Sequence, residues 1–316
     1  MKGNAKKAVI TGGSGFIAGH LADRLISEGW VVTAVDRTDM RSMPFYDHGS
    51  FNFVKADVTS GEFTEITKNA EAIFHLAANS DTRSTDPDTD IKDTLLTTRS
   101  VLDAMVKNRI KRLFFSSSSA VYGEIPDLSL SEDTGDLRPI SYYGASKLAS
   151  ESLIHAYSYM NSLDSLIFRL PNVVGPGLTH GVIYDFIRKL RNDPVKLEIL
   201  GNGEQRKQYL HVCDLTEGIC TLMNGNACGV FNISTESFTT VNDIAKIICN
   251  RMSLKDVKFE YTGGQTGWKG DVRTFELNIT KIKRAGWTYR YDSTDAVKET
   301  VNSIIPANDG HNHPVR

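Results

Sequence analysis

Residues 8–21 read AVITGGSGFIAGHL, and the reading of this stretch decides the fold. Residues 8–10 are a brief β-branched, apolar run of the kind that forms a buried strand, and from Ile17 onward apolar residues recur at helical spacing. Between the two, Gly12, Gly15 and Ala18 fall in a G-x-x-G-x-x-A spacing. Gly12 permits a tight turn out of the strand. Gly15 lets backbone approach a pyrophosphate at the start of the helix, where the first N–H groups lack partners and the helix dipole favours an anion. Phe16 and Ile17, at that helix start, join the two glycines as candidate cofactor contacts. Ala18 stands where helix and strand must pack closely.

A glycine spacing alone is a weak signal, so what surrounds it matters. A second strand-like run, 31–35, ends at Asp36, about 20 residues past the turn, where a carboxylate can bind the adenosine ribose 2′-hydroxyl. A carboxylate there repels a 2′-phosphate and favours NAD over NADP; Arg37, directly after it, pulls the other way. The alternation then continues. Residues 51–54, 72–76, 113–115 and 166–168 read as strands, and 17–28, 91–107 and 146–159 carry helical periodicity. Short apolar strands alternating with helices imply a parallel sheet covered on both faces. The expected fold is α/β, a doubly wound parallel sheet of Rossmann type over residues 1–171, to which some later segments return. A smaller α/β substrate lobe is expected over 172–305, with helices at 182–190, 214–223 and 241–251 between glycine-rich breaks. The polar stretch 306–316 reads as a flexible tail.

Composition narrows the function classes. The chain has 316 residues and a net charge of −2, with acidic and basic residues interspersed, so nothing in the balance calls for nucleic acid or a membrane surface. Its four cysteines, Cys213, Cys220, Cys228 and Cys249, form no C-x-x-C pair. Neither a disulfide framework nor a metal site is expected, and a reduced compartment, the cytoplasm, fits. No secretory signal is read at the N-terminus, and no apolar run reaches the roughly 18 residues a membrane helix needs.

The chemistry is read from two later stretches. Residues 116–123 are SSSSAVYG, at the end of the fifth strand, and residues 143–147 are YGASK. Positions four apart share a helix face, so Tyr143 and Lys147 point the same way. A free tyrosine titrates near pH ~10, and a nearby ammonium is expected to lower that value towards working pH. Ser118, at the strand end, can hydrogen-bond the substrate oxygen that exchanges the proton.

These residues resemble the extended short-chain dehydrogenase/reductases, specifically the NAD-dependent epimerase/dehydratase family that acts on nucleotide sugars, with UDP-glucose 4-epimerases of archaeal type the nearest group. The likeness rests on TGGSGFIAGHL at Thr11, VDR around Asp36, ADV at Asp57, HLAAN at His75, SSSSAVYG at Ser116 and YGASK at Tyr143. It continues through RLPNVVGPG at Arg169, GNGEQRKQYLHVCDL at Gly201 and GWKGDV at Gly267. The resemblance implies that Tyr143 is the general base and acid, that Lys147 holds the nicotinamide ribose and that Ser118 binds the sugar 4-hydroxyl. It places Asp57 and Val58 beside the adenine, Leu76, Ala77, Ala78 and Ser116 along the dinucleotide, and Asn172 at the sugar-nucleotide diphosphate. Lys207 and Arg273 are further candidate substrate contacts. It also implies a homodimer, formed through helices such as 91–107 and 146–159.

In dehydratases and decarboxylases of this family a glutamate precedes V-Y-G; here Ala120 does, which removes the acid or base that elimination uses. The reading is therefore 4-epimerisation of a UDP-sugar of the glucose/galactose, hexuronate or N-acetyl type, with NAD retained. A keto-sugar nucleotide reductase with the same three residues, and an NAD-binding protein without catalysis, are the alternatives. Departures from the family pattern fall at Asp93 and Thr94, where relatives often carry two asparagines, at Thr266, where they often carry arginine, and at Lys207-Gln208, where they carry an Arg-Asp pair.

Overall fold

The computed structural model describes residues 5–40, 48–125, 129–264, 266–272 and 274–306. Seven strands form the central sheet: β1 (Lys7–Thr11), β2 (Val31–Asp36), β3 (Phe51–Lys55), β4 (Ala72–His75), β5 (Arg112–Ser118), β6 (Asp164–Leu170) and β7 (Gly229–Asn232). They lie in the order β7-β6-β5-β4-β1-β2-β3, and every pairing is parallel. The winding reverses between β1 and β4, and ligands of open α/β sheets bind outside the carboxyl ends of the strands at such a point.

Strand residues alternate between two cores because successive side chains point to opposite faces. Ala8, Ile10, Phe74, Phe114 and Phe168 face one layer, where α1 (Phe16–Ser27) and a helix at Val212–Asn224 bring Leu21, Leu25, Leu215 and Ile219. Phe74 and Phe114 stack there with ring centroids 4.3 Å apart. Val9, Ile73, Phe115 and Ile167 face the other layer, built by α2 (Thr97–Asn108) and α3 (Tyr142–Asn161) through Val101, Leu102, Met105 and Ile154. With both faces covered, the central strands β1 and β4 carry uninterrupted apolar runs, residues 8–10 and 72–74.

The structure differs from the sequence reading in several local ways. The stretch 91–107 is not one regular helix: Ile91–Leu96 is a π-helical turn, and α2 follows it. Helix α3 starts at Tyr142 rather than at Ser146, because Ser141 caps it by accepting a hydrogen bond from Gly144 N at 3.1 Å. That early start puts Tyr143 in the first turn. Beyond Pro171, the helices Val182–Asn192 and Val241–Arg251 join one at Ser293–Ile304, which the sequence reading missed, around a third core containing Phe186, Ile187, Ile244, Ile248, Val297 and Val301. Strand β7 leaves this region and pairs with β6, Phe231 beside Phe168. Of the 306–316 stretch, all but Pro306 lies outside the described residues.

Among the described residues, no helix is long and apolar enough to cross a membrane, and no group of three or more His, Cys, Asp or Glu side chains could hold a metal ion.

Candidate active site

The turn after β1 is shaped by contacts that exclude side chains. Gly12 has φ +69°, and a Cβ there would lie 2.8 Å from Ala77 N. Gly13, which the spacing argument passed over, is equally constrained: its Cβ would lie 2.7 Å from Ala34 Cβ, and its N–H donates to Val35 O at 3.0 Å. Gly15 is the N-cap of α1; no side chain caps the helix, and no acidic residue occupies its first turn. Free amides and a positive helix end, facing the crevice between β1 and β4, fit a pyrophosphate. Phe16 is buried, with its ring edge-on to His20 at 5.3 Å, whereas Ile17 is only partly buried.

At the end of β2, Asp36 accepts from Ser14 N and Oγ at 3.0 and 2.7 Å and from Thr38 N and Oγ1 at 2.9 and 2.9 Å. Burial alone would raise its carboxyl; these hydrogen bonds outweigh burial and hold it below the usual carboxylate range. A carboxylate offers about four acceptor directions. A ribose hydroxyl would therefore displace the Ser14 or Thr38 hydroxyl rather than meet a vacant oxygen. Asp57 is likewise held low by Thr59, whose N and Oγ1 both donate at 2.7 Å. Gly12, Asp36, Asp57, Val58, Ala77 and Ala78 line one cleft. Arg37 lies there too, paired with Asp93. The Leu76 and Ala77 amides are anchored on Thr11, to its carbonyl at 3.3 Å and its hydroxyl at 3.2 Å. These residues fit the adenosine half of a dinucleotide.

Ser118 closes β5, and its Oγ accepts from Ala120 N at 3.1 Å. Tyr143 and Lys147 lie one turn apart on α3, with Lys147 Nζ 5.9 Å from the Tyr143 ring centroid. Helix α3 approaches this closely because residue 144 is glycine: a Cβ there would lie 2.6 Å from Ala120 O. Lys147 is 3% exposed and donates to Ser116 O at 2.7 Å. The electrostatics of the pair run against what the spacing suggests. Burial pushes the half-buried Tyr143 phenol up, and a hydrogen bond with Ser118 offsets this only in part. Burial also pulls the Lys147 ammonium down to about 7 against the opposing charge of Glu151. Withdrawal from water acts on both partners, so it outweighs the attraction that spacing alone suggested.

Behind the site lies His75, fully buried between Thr11 Oγ1 at 2.7 Å from Nδ1 and Thr98 Oγ1 at 3.0 Å from Nε2. The Thr98 hydroxyl donates to Thr94 O at 2.7 Å, so the network is satisfied by a neutral ring that accepts from Thr11 and donates to Thr98. Burial lowers its pKa to about 3. Below pH ~6.5 the unfolded chain takes up a proton that the fold refuses, so stability falls as pH falls from there towards 3. Denaturant unfolding should show a loss of about 2 kcal/mol between pH 7 and pH 5 from this residue. A His75→Asn chain should lack that increment; an unchanged pH dependence would count against the assignment.

Asn172 is exposed two residues beyond Leu170, which pairs with Ser118, so both stand at the carboxyl end of the sheet. Its strand pairs with Tyr209–His211. Lys207 is not a free cation: its ammonium pairs with Asp271 and lies 5.2 Å from the Trp268 ring centroid. Asp271 in turn accepts from Gly267 N at 3.1 Å, a partner the sequence reading missed. Arg273 lies outside the described residues.

Comparison with known proteins agrees with this geometry. Residues 8–234 match the NAD dependent epimerase/dehydratase family. A protein of Methanocaldococcus jannaschii, provisionally named a UDP-glucose 4-epimerase, is 29% identical over 303 residues, covering 93% of this chain and 97% of that one. A crystal structure of a UDP-galactose 4-epimerase superposes with a TM-score of 0.84 at 32% identity, covering 94% of this chain and 98% of the other. MoeE5, solved with UDP-glucuronic acid and NAD, superposes at 0.85 with 29% identity and the same coverage. Proteins named as dehydratases and decarboxylases match as well. The glycine turn before α1, the Ser118, Tyr143 and Lys147 cluster and these likenesses agree: the chain belongs to the NAD dependent epimerase/dehydratase family.

Proposed function

We propose that this chain interconverts the C4 epimers of a nucleotide sugar, a UDP-hexose, UDP-hexuronate or N-acetylated analogue, with NAD retained throughout. The observation that carries the reading is the pairing of Ser118, Tyr143 and Lys147 with Ala120. Ala120 bears no ionisable group where dehydrating and decarboxylating relatives are expected to carry an acid.

NAD, when bound, supplies an acceptor for the C4 hydride and returns it, so no reducing equivalent is consumed. Gly12, Gly15, Asp36 and Asp57 would hold its adenosine diphosphate half. Tyr143 Oη takes the proton from the sugar 4-hydroxyl and later gives it back. Ser118 Oγ, already within reach of the phenol, holds the same oxygen. Lys147, fixed by its bond to Ser116 O, contributes positive charge whenever it is protonated and so favours the phenolate. Asn172 and Lys207 would contact the nucleotide diphosphate and sugar, and Arg273 belongs with them on the sequence pattern. The keto sugar must turn over between the two hydride transfers, which needs room beyond the carboxyl end of β5.

A homodimer through α2 and α3 is part of the reading. Tyr159 is 89% and Met160 76% exposed at the end of α3, and Val106 on α2 lines the same hollow as Met160, an apolar surface of the kind that marks a partner contact. The cytoplasm remains the proposed compartment, and its reducing conditions suit four free cysteines.

The test is direct. The purified protein, without added cofactor, is incubated with a panel of UDP-hexoses and UDP-hexuronates, and the C4 epimers are separated by chromatography. Interconversion of one pair with no net NADH accumulation is expected. Failure with every member, even with NAD supplied, would overturn the reading and favour a keto-sugar reductase or a different nucleotide.

A further inference from the structure

Arg37 stands where a cationic side chain would meet the 2′-phosphate of NADP, directly after the carboxylate that ends β2. It is not available to do so. Its Nη1 and Nη2 donate to Asp93 Oδ1 and Oδ2 at 2.9 and 2.7 Å, a two-point fork. Asp93 comes from the π-helical turn after β4, so the pair joins two separate elements. Both residues line the same cleft as Asp36, Asp57 and Lys92.

We propose that Asp93 is a cofactor-specificity residue: by holding Arg37, it denies the 2′-phosphate of NADP a guanidinium that could receive it. The proposal rests on the NAD reading above and deepens it. The terminal edge of the guanidinium matches a carboxylate or a phosphate, not both at once. With that edge on Asp93, an incoming phosphate meets the side of Arg37 and a carboxylate next to it. The charges lining the cleft are then Asp36, Asp57 and Asp93 against Arg37 and Lys92, which leaves a net −1 to repel a dianion. Replacing Asp93 by asparagine keeps the size and a carbonyl acceptor, removes the negative charge and frees the fork.

The experiment is a competition. Wild-type, Asp93→Asn and Arg37→Ala/Asp93→Asn chains are equilibrated with equal concentrations of NAD+ and NADP+, desalted and denatured, and the released nucleotides are separated by chromatography. Wild type should release NAD+ almost alone. Asp93→Asn should raise the NADP+ to NAD+ ratio about tenfold, the scale of an exposed ion pair plus a removed like charge. The double variant should lose that gain, because no guanidinium is left to receive the phosphate. A purely structural role for Asp93 would weaken both nucleotides alike and leave the ratio unchanged. A ratio within twofold of wild type in Asp93→Asn, or a gain that survives in the double variant, overturns the proposal. A wild-type chain that releases neither nucleotide overturns the NAD reading beneath it, a result that cannot be confused with the other two.

Discussion

A Tyr143→Phe chain should turn over its substrate at least about a thousandfold more slowly than the parent, within the range that a positioned acid–base group contributes. The change removes one oxygen from a half-buried ring and leaves the ring itself in place. Lys147 keeps its bond to Ser116 O, and Ser118 keeps its bond from Ala120 N, so the surroundings have little reason to shift. Nucleotide content after denaturation and the melting temperature should therefore match the parent. Conversion of the substrate within tenfold of the parent would remove Tyr143 from the chemistry, because Tyr143 is the phenol that hydrogen-bonds with Ser118. Loss of bound NAD would instead assign the residue to holding the cofactor.

A loss of stability of about 3–5 kcal/mol is expected when Glu151 is replaced by leucine, the usual consequence of leaving a buried charge without its partner. Glu151 and Arg169 are 2% and 4% exposed and meet through two contacts at 3.1 and 2.7 Å. Ser117 donates to the same carboxylate, and Arg169 lies 4.8 Å from the Tyr122 ring centroid. Burial works against the Arg169 charge, and Glu151 more than offsets it. Nη1 of Arg169 has no hydrogen-bond partner among the described residues, so loss of Glu151 leaves the buried guanidinium with its Tyr122 contact and without the counter-charge of that carboxylate. Denaturant unfolding of the single variant and of a Glu151→Leu/Arg169→Met pair separates the causes. The pair should recover most of the loss, because it removes the stranded charge along with the attraction. A single variant that loses under about 1 kcal/mol would show that water reaches the arginine. The site would register the same change, since Glu151 lies one turn beyond Lys147 on α3 and ties that helix to β5 and β6.

The parts of the fold that could be read from the sequence are those fixed by local chemistry. Strands β1 to β6 are apolar runs between polar or glycine breaks, and buried parallel strands leave that signature. The turn from Thr11 to Ala18 was legible because its glycines answer to close backbone contacts. The Ser118, Tyr143 and Lys147 set was legible because a strand end and a helical spacing of four fix their relative positions. Strand β7 was not. Gly229–Asn232 is only four residues long with two of them half-buried, and it becomes a strand through pairing with β6, far away in sequence. The partners of charged residues were equally hidden. Asp93 for Arg37 and Asp271 for Lys207 are each more than fifty positions away, and only the folded chain brings them close. The pKa directions failed for a related reason: spacing reveals a neighbour but not how far water has been withdrawn from both.

Strand β7 also bears on how the polypeptide is made. Synthesis proceeds from the N-terminus, so β6 leaves the ribosome well before the strand that flanks it. Until Gly229–Asn232 emerges, Asp164–Leu170 presents a row of unpaired amides and carbonyls along an apolar strand, which is a template for another nascent chain. The residues translated in that interval include Val182–Asn192, which joins the third core, and Val212–Asn224, which packs on the sheet face that α1 also covers. A half-made molecule therefore carries an open edge at the time when crowding on a polysome brings its copies closest together, and slow translation between β6 and β7 would lengthen that exposure.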